Sequence, residues 1–153
     1  MNSNKIGVYR KFKPFGSMIG LAELQDAIVT GTYEDVDLEI KVNALRATTS
    51  DEERSQIKKS LPAVSLAGDF GNDRTADHTL EDYTGLIQVD IDGVEDPIAI
   101  KRKVSTDPYV LLCFISQSGN GVKVVVRVDC DQSHHKEASE QYYNHLNRLI
   151  NEN

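Results

Sequence analysis

No apolar run in the 153 residues is long enough to cross a bilayer, which argues against a helical membrane protein. The start, MNSNKIGVYRKF, lacks the apolar stretch of a signal peptide. Together these absences predict a cytoplasmic chain with no membrane partner. Cysteine is scarce: only Cys113 and Cys130 are present. They form no CxxC pair, which argues against a zinc site, and a reducing compartment argues against a disulfide. Cys113 lies inside the apolar run YVLLCFI and reads as a small buried hydrophobe. Positive charge is also short, with a formal net charge of -7. Bulk charge therefore gives no affinity for nucleic acid. Any such contact must come from local clusters, of which Arg10-Lys11-Lys13, Lys58-Lys59 and Lys101-Arg102-Lys103 are present. Each of these alone is more often a solvated face than a binding patch. Internal repeats and low-complexity segments are lacking.

What is present suits one domain with a real core, divided into two lobes. In residues 1–67, rough alternation predicts a strand over 5–12. Helices are expected over 20–30, with Gly31 as a stop, and over 34–47. A third starts at Ser50, an N-cap with Glu53 three residues later, and ends before Pro62. A short strand follows over 63–67, and Gly68 to Asp77 reads as a polar loop. The second lobe, 68–153, has a clearer pattern. Strands are expected over 85–92, 109–116 and 122–129. A helix over 96–106 is capped by Asp96 with Pro97 first, and a last helix spans 134–150. This β-α-β-β-α order supplies five of the six elements of the split βαβ, ferredoxin/RRM-like unit. The fold class expected is thus α+β, with that core lacking its last strand behind a mostly helical N-terminal lobe. Either the chain is truncated there or the 63–67 strand fills the vacant place.

Strand alternation puts Gln88, Asp90 and Asp92 on one face and Ile87, Val89 and Ile91 on the other. It does the same for Lys123, Val125 and Arg127 against Val122, Val124, Val126 and Val128. Carboxylates at i and i+2 lie about 6–7 Å apart along a strand. Their repulsion is relieved by a divalent cation, and hard oxygen ligands suit Mg2+ or Mn2+. Two solvated acids at a strand end would have the same sequence. The linker Ser116-Gln117-Ser118-Gly119-Asn120-Gly121-Val122-Lys123 offers amides, hydroxyls and a lysine able to cradle phosphates. A plain Asn-Gly hairpin turn is the competing explanation. Topology joins the two features. A right-handed crossover makes 85–92 and 109–116 parallel, and 122–129 lies antiparallel between them. Asp90 and Asp92 then reach the same sheet edge as Ser116 to Lys123, and Asp129 and Asp131 fall at the opposite edge. His78, His134, His135 and His145 read as exposed polar residues.

TGLIQVDIDGV followed by YVLLCFISQSGNGVKVVVRV resembles the archaeo-eukaryotic primase (primase–polymerase) superfamily. It is most similar to the primase-like N-terminal domain found beside VirE-type or helicase-type domains in bacterial mobile elements. LPAVSLAGDF resembles a segment preceding the DxD strand in that branch, and the resemblance spans roughly residues 55–150. It implies nucleotidyl transfer from nucleoside triphosphates on a single-stranded DNA or RNA template. It also implies an attached C-terminal helicase-like or VirE-type domain. By position, Asp90 and Asp92 would ligand metal and act catalytically, and Ser116, Ser118, Gly119, Gly121, Lys123 and Arg127 would bind nucleotide. Lys123 stands where the superfamily more often has histidine, which changes the protonation chemistry. The superfamily's third acidic ligand lies on a later strand, so the fragment is expected to be inactive alone. Activity would instead place that ligand in 69–82, among Asp69, Asp73, Asp77, Glu81 and Asp82. The alternatives are a non-catalytic nucleotide or nucleic-acid-binding module attached to a helicase, and a nucleotide cyclase with the same topology.

Overall fold

A computed structural model describes residues 5–10, 13–69, 80 and 82–152. The chain is mixed α and β with small sheets. It divides into two compact units, Met1–Thr84 and Gly85–Asn153.

In the first unit, β1 (Ile6–Arg10) lies between β2 (Lys13–Ile19) and β5 (Ala63–Ser65), antiparallel to both. Strand β1 covers residues 6–10 of the expected 5–12 strand, whose last two residues lie outside the described ones. Helix α1 (Leu21–Thr30) ends at Gly31, whose φ of 71° only glycine adopts cheaply. A two-stranded hairpin, β3 (Thr32–Tyr33) and β4 (Val36–Asp37), then occupies the start of the expected second helix. Helix α2 (Leu38–Ala47) begins only after Asp37, whose carboxylate accepts the Ile40 amide at 2.9 Å. The N-cap expected at Ser50 opens α3 (Asp51–Ser60), with Ser50 Oγ accepting the Glu53 amide at 3.3 Å. Only half of the capping box forms, because the Glu53 carboxylate takes the Thr48 hydroxyl instead. Within the expected polar loop, β6 (Gly68–Asp69) pairs with β7 (Asp82–Tyr83). Asp69 there accepts the hydroxyl of the buried Tyr9 at 2.8 Å.

The second unit is a three-stranded sheet backed by two helices. Its elements are β8 (Leu86–Asp92), α4 (Pro97–Val104), β9 (Val110–Ile115), β10 (Gly121–Arg127) and α5 (His135–Asn151), the last entered through a single 3-10 turn at Gln132–His134. The strand order is β8-β10-β9, with β10 antiparallel to both neighbours. Asp96 caps α4 through the Ala99 amide at 2.9 Å, and Pro97 opens it. Ile87, Val89, Val122, Val124 and Val126 form one buried layer with Val104 of α4 and Leu146 of α5. Cys113 joins the rim of that layer, and burial pushes its thiol pKa up, so it is a poor nucleophile. Lys103 does not belong to a free basic patch: its ammonium donates to the carbonyls of Ile150 and Glu152 at the end of α5, where a cation is favoured. Among the described residues no helix is long and apolar enough to cross a membrane.

One polar cluster ties α5 to the α4–β9 turn. His145 is not a plain surface histidine; its Nε2 bonds the buried carboxylate of Asp107. Asp107 also accepts the Tyr109 amide at 2.9 Å. Burial alone would raise the Asp107 pKa, but the Tyr109 amide, His145 and the neighbouring Tyr142 hydroxyl outweigh it and hold the carboxyl below its ordinary value. Burial and the Asp107 charge push Tyr142 up in turn, and its hydroxyl has no hydrogen bond of good geometry. A carboxylate with a depressed folded pKa stabilises the fold above its unfolded value, and the gain is lost as pH falls through the folded value. Asp107→Asn should therefore cost about 1–3 kcal/mol at neutral pH. The difference from wild type should shrink below about pH 4. Urea unfolding at pH 7 and pH 3 checks both signs.

Candidate functional site

The site is built by register. In the β8–β10 ladder Asp92 stands opposite Gly121, Asp90 opposite Lys123, Gln88 opposite Val125 and Leu86 opposite Arg127. Because Ile87, Val89, Val122, Val124 and Val126 face the helices, these four pairs face the other way. On that face Leu86 and Val125 are buried. Its polar character therefore gathers toward the end that carries Asp90, Asp92 and Lys123.

The β9–β10 turn closes the same end. The Ser116 amide donates to Gly121 O at 2.9 Å, and the Gly119 amide to Ser116 O at 2.9 Å. Gly119 has φ 84°, as this tight turn needs. The Ser116 and Ser118 hydroxyls lie 3.3 Å apart, and Ser118 Oγ donates to Asn120 Oδ1 at 2.9 Å. A third backbone bond, from the Val94 amide to Asn120 O at 3.1 Å, fastens the turn to the loop after Asp92. Gly121 is required by space: a Cβ there would stand 2.7 Å from Ile91 O and 2.9 Å from Asp92 Oδ1. The absent side chain lets β8 and β10 approach closely between Asp92 and Ser116.

Charge at this end is partly compensated within the unit. Lys123 Nζ lies 2.9 Å from Asp90 Oδ1, which also accepts Gln88 Nε2 at 2.8 Å. Asp92 is exposed at the strand end. Among the described residues no group of three or more His, Cys, Asp or Glu side chains is arranged to hold a metal ion. Two hard carboxylate donors on one face fit a divalent cation whose remaining ligands come from a bound phosphate and water. An ion at Asp90 would compete with Lys123, whose flexible stem lets the ammonium move to a phosphate oxygen.

Six of the expected site residues thus come together: Asp90, Asp92, Ser116, Ser118, Gly121 and Lys123, with Gly119 shaping the turn. Arg127 shares the face but pairs with Leu86 at the far end of β8, about 13 Å along the strand from Lys123. Asp73, Asp77, Glu81 and His78 lie outside the described residues, as does Lys11 of the first basic cluster. Sequence reasoning missed Gln88 as a partner of Asp90, although its place two residues earlier on the same face was the available signal.

The family model described as BT4734-like, N-terminal domain matches residues 56–153, well over half of the chain. The chain belongs to this family. No curated protein and no solved structure matches it. The matched stretch of this BT4734-like domain contains every candidate residue from Asp90 to Arg127, whereas β1 to α2 lie before it.

Two substitutions separate scaffold from chemistry in the BT4734-like domain. The Lys123 and Asp90 side chains are 19% and 43% exposed, and such pairs contribute about 0–1 kcal/mol. Lys123→Met should leave the unfolding midpoint nearly unchanged. Gly121→Val, which drives a side chain into Ile91 O, should cost about 1–3 kcal/mol. Chemical denaturation of both variants provides the comparison, and a large loss in Lys123→Met would mark that lysine as structural.

Proposed function

We propose that this domain binds a nucleoside triphosphate with Mg2+ or Mn2+, as the nucleotidyltransferase domain of a primase–polymerase. The observation that carries the reading is the β8–β10 register, which sets Asp90 and Asp92 beside Lys123 and the Ser116–Gly121 turn on one face. We read the β8-α4-β9-β10-α5 series as the ferredoxin/RRM-like unit without its last strand, in support of which the strand order is β8-β10-β9.

In this reading Asp90 and Asp92 hold the cation, and Lys123 exchanges Asp90 for a phosphate oxygen. The Ser116 and Ser118 hydroxyls and the turn amides orient the triphosphate. A bound divalent cation supplies charge neutralisation at the transferring phosphoryl group. A single-stranded DNA or RNA template and an attached helicase-like or VirE-type domain complete the proposed system. The Lys123–Asp90 ion pair favours a second reading, a non-catalytic module that binds nucleotide or nucleic acid through phosphate alone.

Calorimetric titration with a nucleoside triphosphate tests the first reading. Affinity should rise on adding Mn2+, and Asp90→Ala with Asp92→Ala should abolish that rise while the circular dichroism spectrum is retained. The same affinity with and without metal in both proteins would remove the metal site and leave the phosphate-binding module. Primer synthesis with Mn2+ by the whole protein then separates enzyme from module.

A further inference from the structure

Phe114 lies between two residues that face the helices. Cys113 and Ile115 pack on the rim of the helix-side core, and Phe114 is not part of that layer. Alternation turns its ring to the opposite face of β9. There it stands across from Lys123, which stands across from Asp90. Carboxylate, ammonium and aromatic ring thus form one row across the sheet. In the row toward the turn, Asp92 and Ser116 flank the bare backbone of Gly121. In the row on the other side, Val125 is fully buried between Gln88 and Leu112. Gly121 presents buried, side-chain-free backbone in its row, and the half-buried ring of Phe114 offers an apolar surface in the next row, on β9.

We propose that Phe114 is the platform for the base of the bound nucleotide, so that the site selects nucleotides over inorganic polyphosphate. The proposal rests on the nucleotide-binding reading above. Phe114 and Asp90 lie two strand spacings apart, about 10 Å. That separation matches a nucleotide whose phosphates rest at Asp90 and Lys123 and whose base extends over β9. An aromatic face stacks any base, so the platform implies little preference among the four. Exposed Tyr143 is the competing aromatic near Asp90. It lines a cavity of about 420 Å³ between β8 and α5, together with Gln88, Asp90, Ser139 and Asn144.

The test is calorimetry in Mn2+ with two ligands, a nucleoside triphosphate and inorganic tripolyphosphate. Wild type should bind the nucleotide about tenfold more tightly than tripolyphosphate. Phe114→Leu should lose that preference with tripolyphosphate affinity unchanged, and Phe114→Tyr should keep it. A preference retained in Phe114→Leu, or lost in Tyr143→Ala, would overturn the platform and leave the phosphate site standing. Equal affinity of wild type for both ligands would overturn it in the same way. If wild type bound neither ligand, the nucleotide-binding reading would fall together with it.

Discussion

The antiparallel pairing of Leu86–Asp92 with Gly121–Arg127 is the constraint on which the rest of the C-terminal unit depends. A ladder of this kind has no freedom of register. A slip of one residue would turn Asp90 and Lys123 into the helix-side core and Val89 and Val124 out of it. The apolar layer with Val104 and Leu146 therefore holds Asp90, Asp92 and Lys123 on the opposite face. Gly121 is the weak point of that arrangement, because the two strands approach closely at the end where the carboxylates stand.

Placing Asp90 and Asp92 on one face costs electrostatic repulsion. Lys123 and Gln88 relieve it at Asp90, with donors 2.9 and 2.8 Å from the same oxygen. Asp92 has no such relief from these two, and its carboxylate packs beside the bare backbone of Gly121. The result is asymmetric: one carboxylate is paired and the other is exposed. On the helix side the problem is solved differently. Asp107 is buried outright, and amide and imidazole donors hold its charge there, which joins α5 to the start of β9.

The N-terminal unit relies on local end signals more than on a single layer. Asp37, Ser50 and Gly31 each end or begin a helix through one hydrogen bond or one left-handed residue. Helix α3 has no buried residue, so its cap and the acidic first turn with basic last turn stabilise it along its own dipole. Its Lys58 and Lys59 belong to that last turn, which gives the second basic cluster a structural role. The strand β2 was invisible to local reasoning because Pro14 and Gly16 weaken a strand pattern. It exists because it is an edge strand, where a missing amide donor is tolerated.

The sequence by itself determined the elements of the second unit, their faces and the caps at Ser50 and Asp96. Those features depend on periodicity and on hydrogen bonds within a few residues. It also brought Asp90, Asp92 and the Ser116–Lys123 turn to one sheet edge, because a crossover followed by a hairpin allows few topologies. Tertiary structure alone decided the pairings. Lys123 meets Asp90 from 33 positions away in the chain, Lys103 finds the carbonyl of Ile150 from 47, and His145 finds Asp107 from 38. No local pattern encodes such contacts, since each follows from how two elements pack. The same reason separated Arg127 from the other cations of its face: alternation gives the side of a sheet, and only the register gives the row.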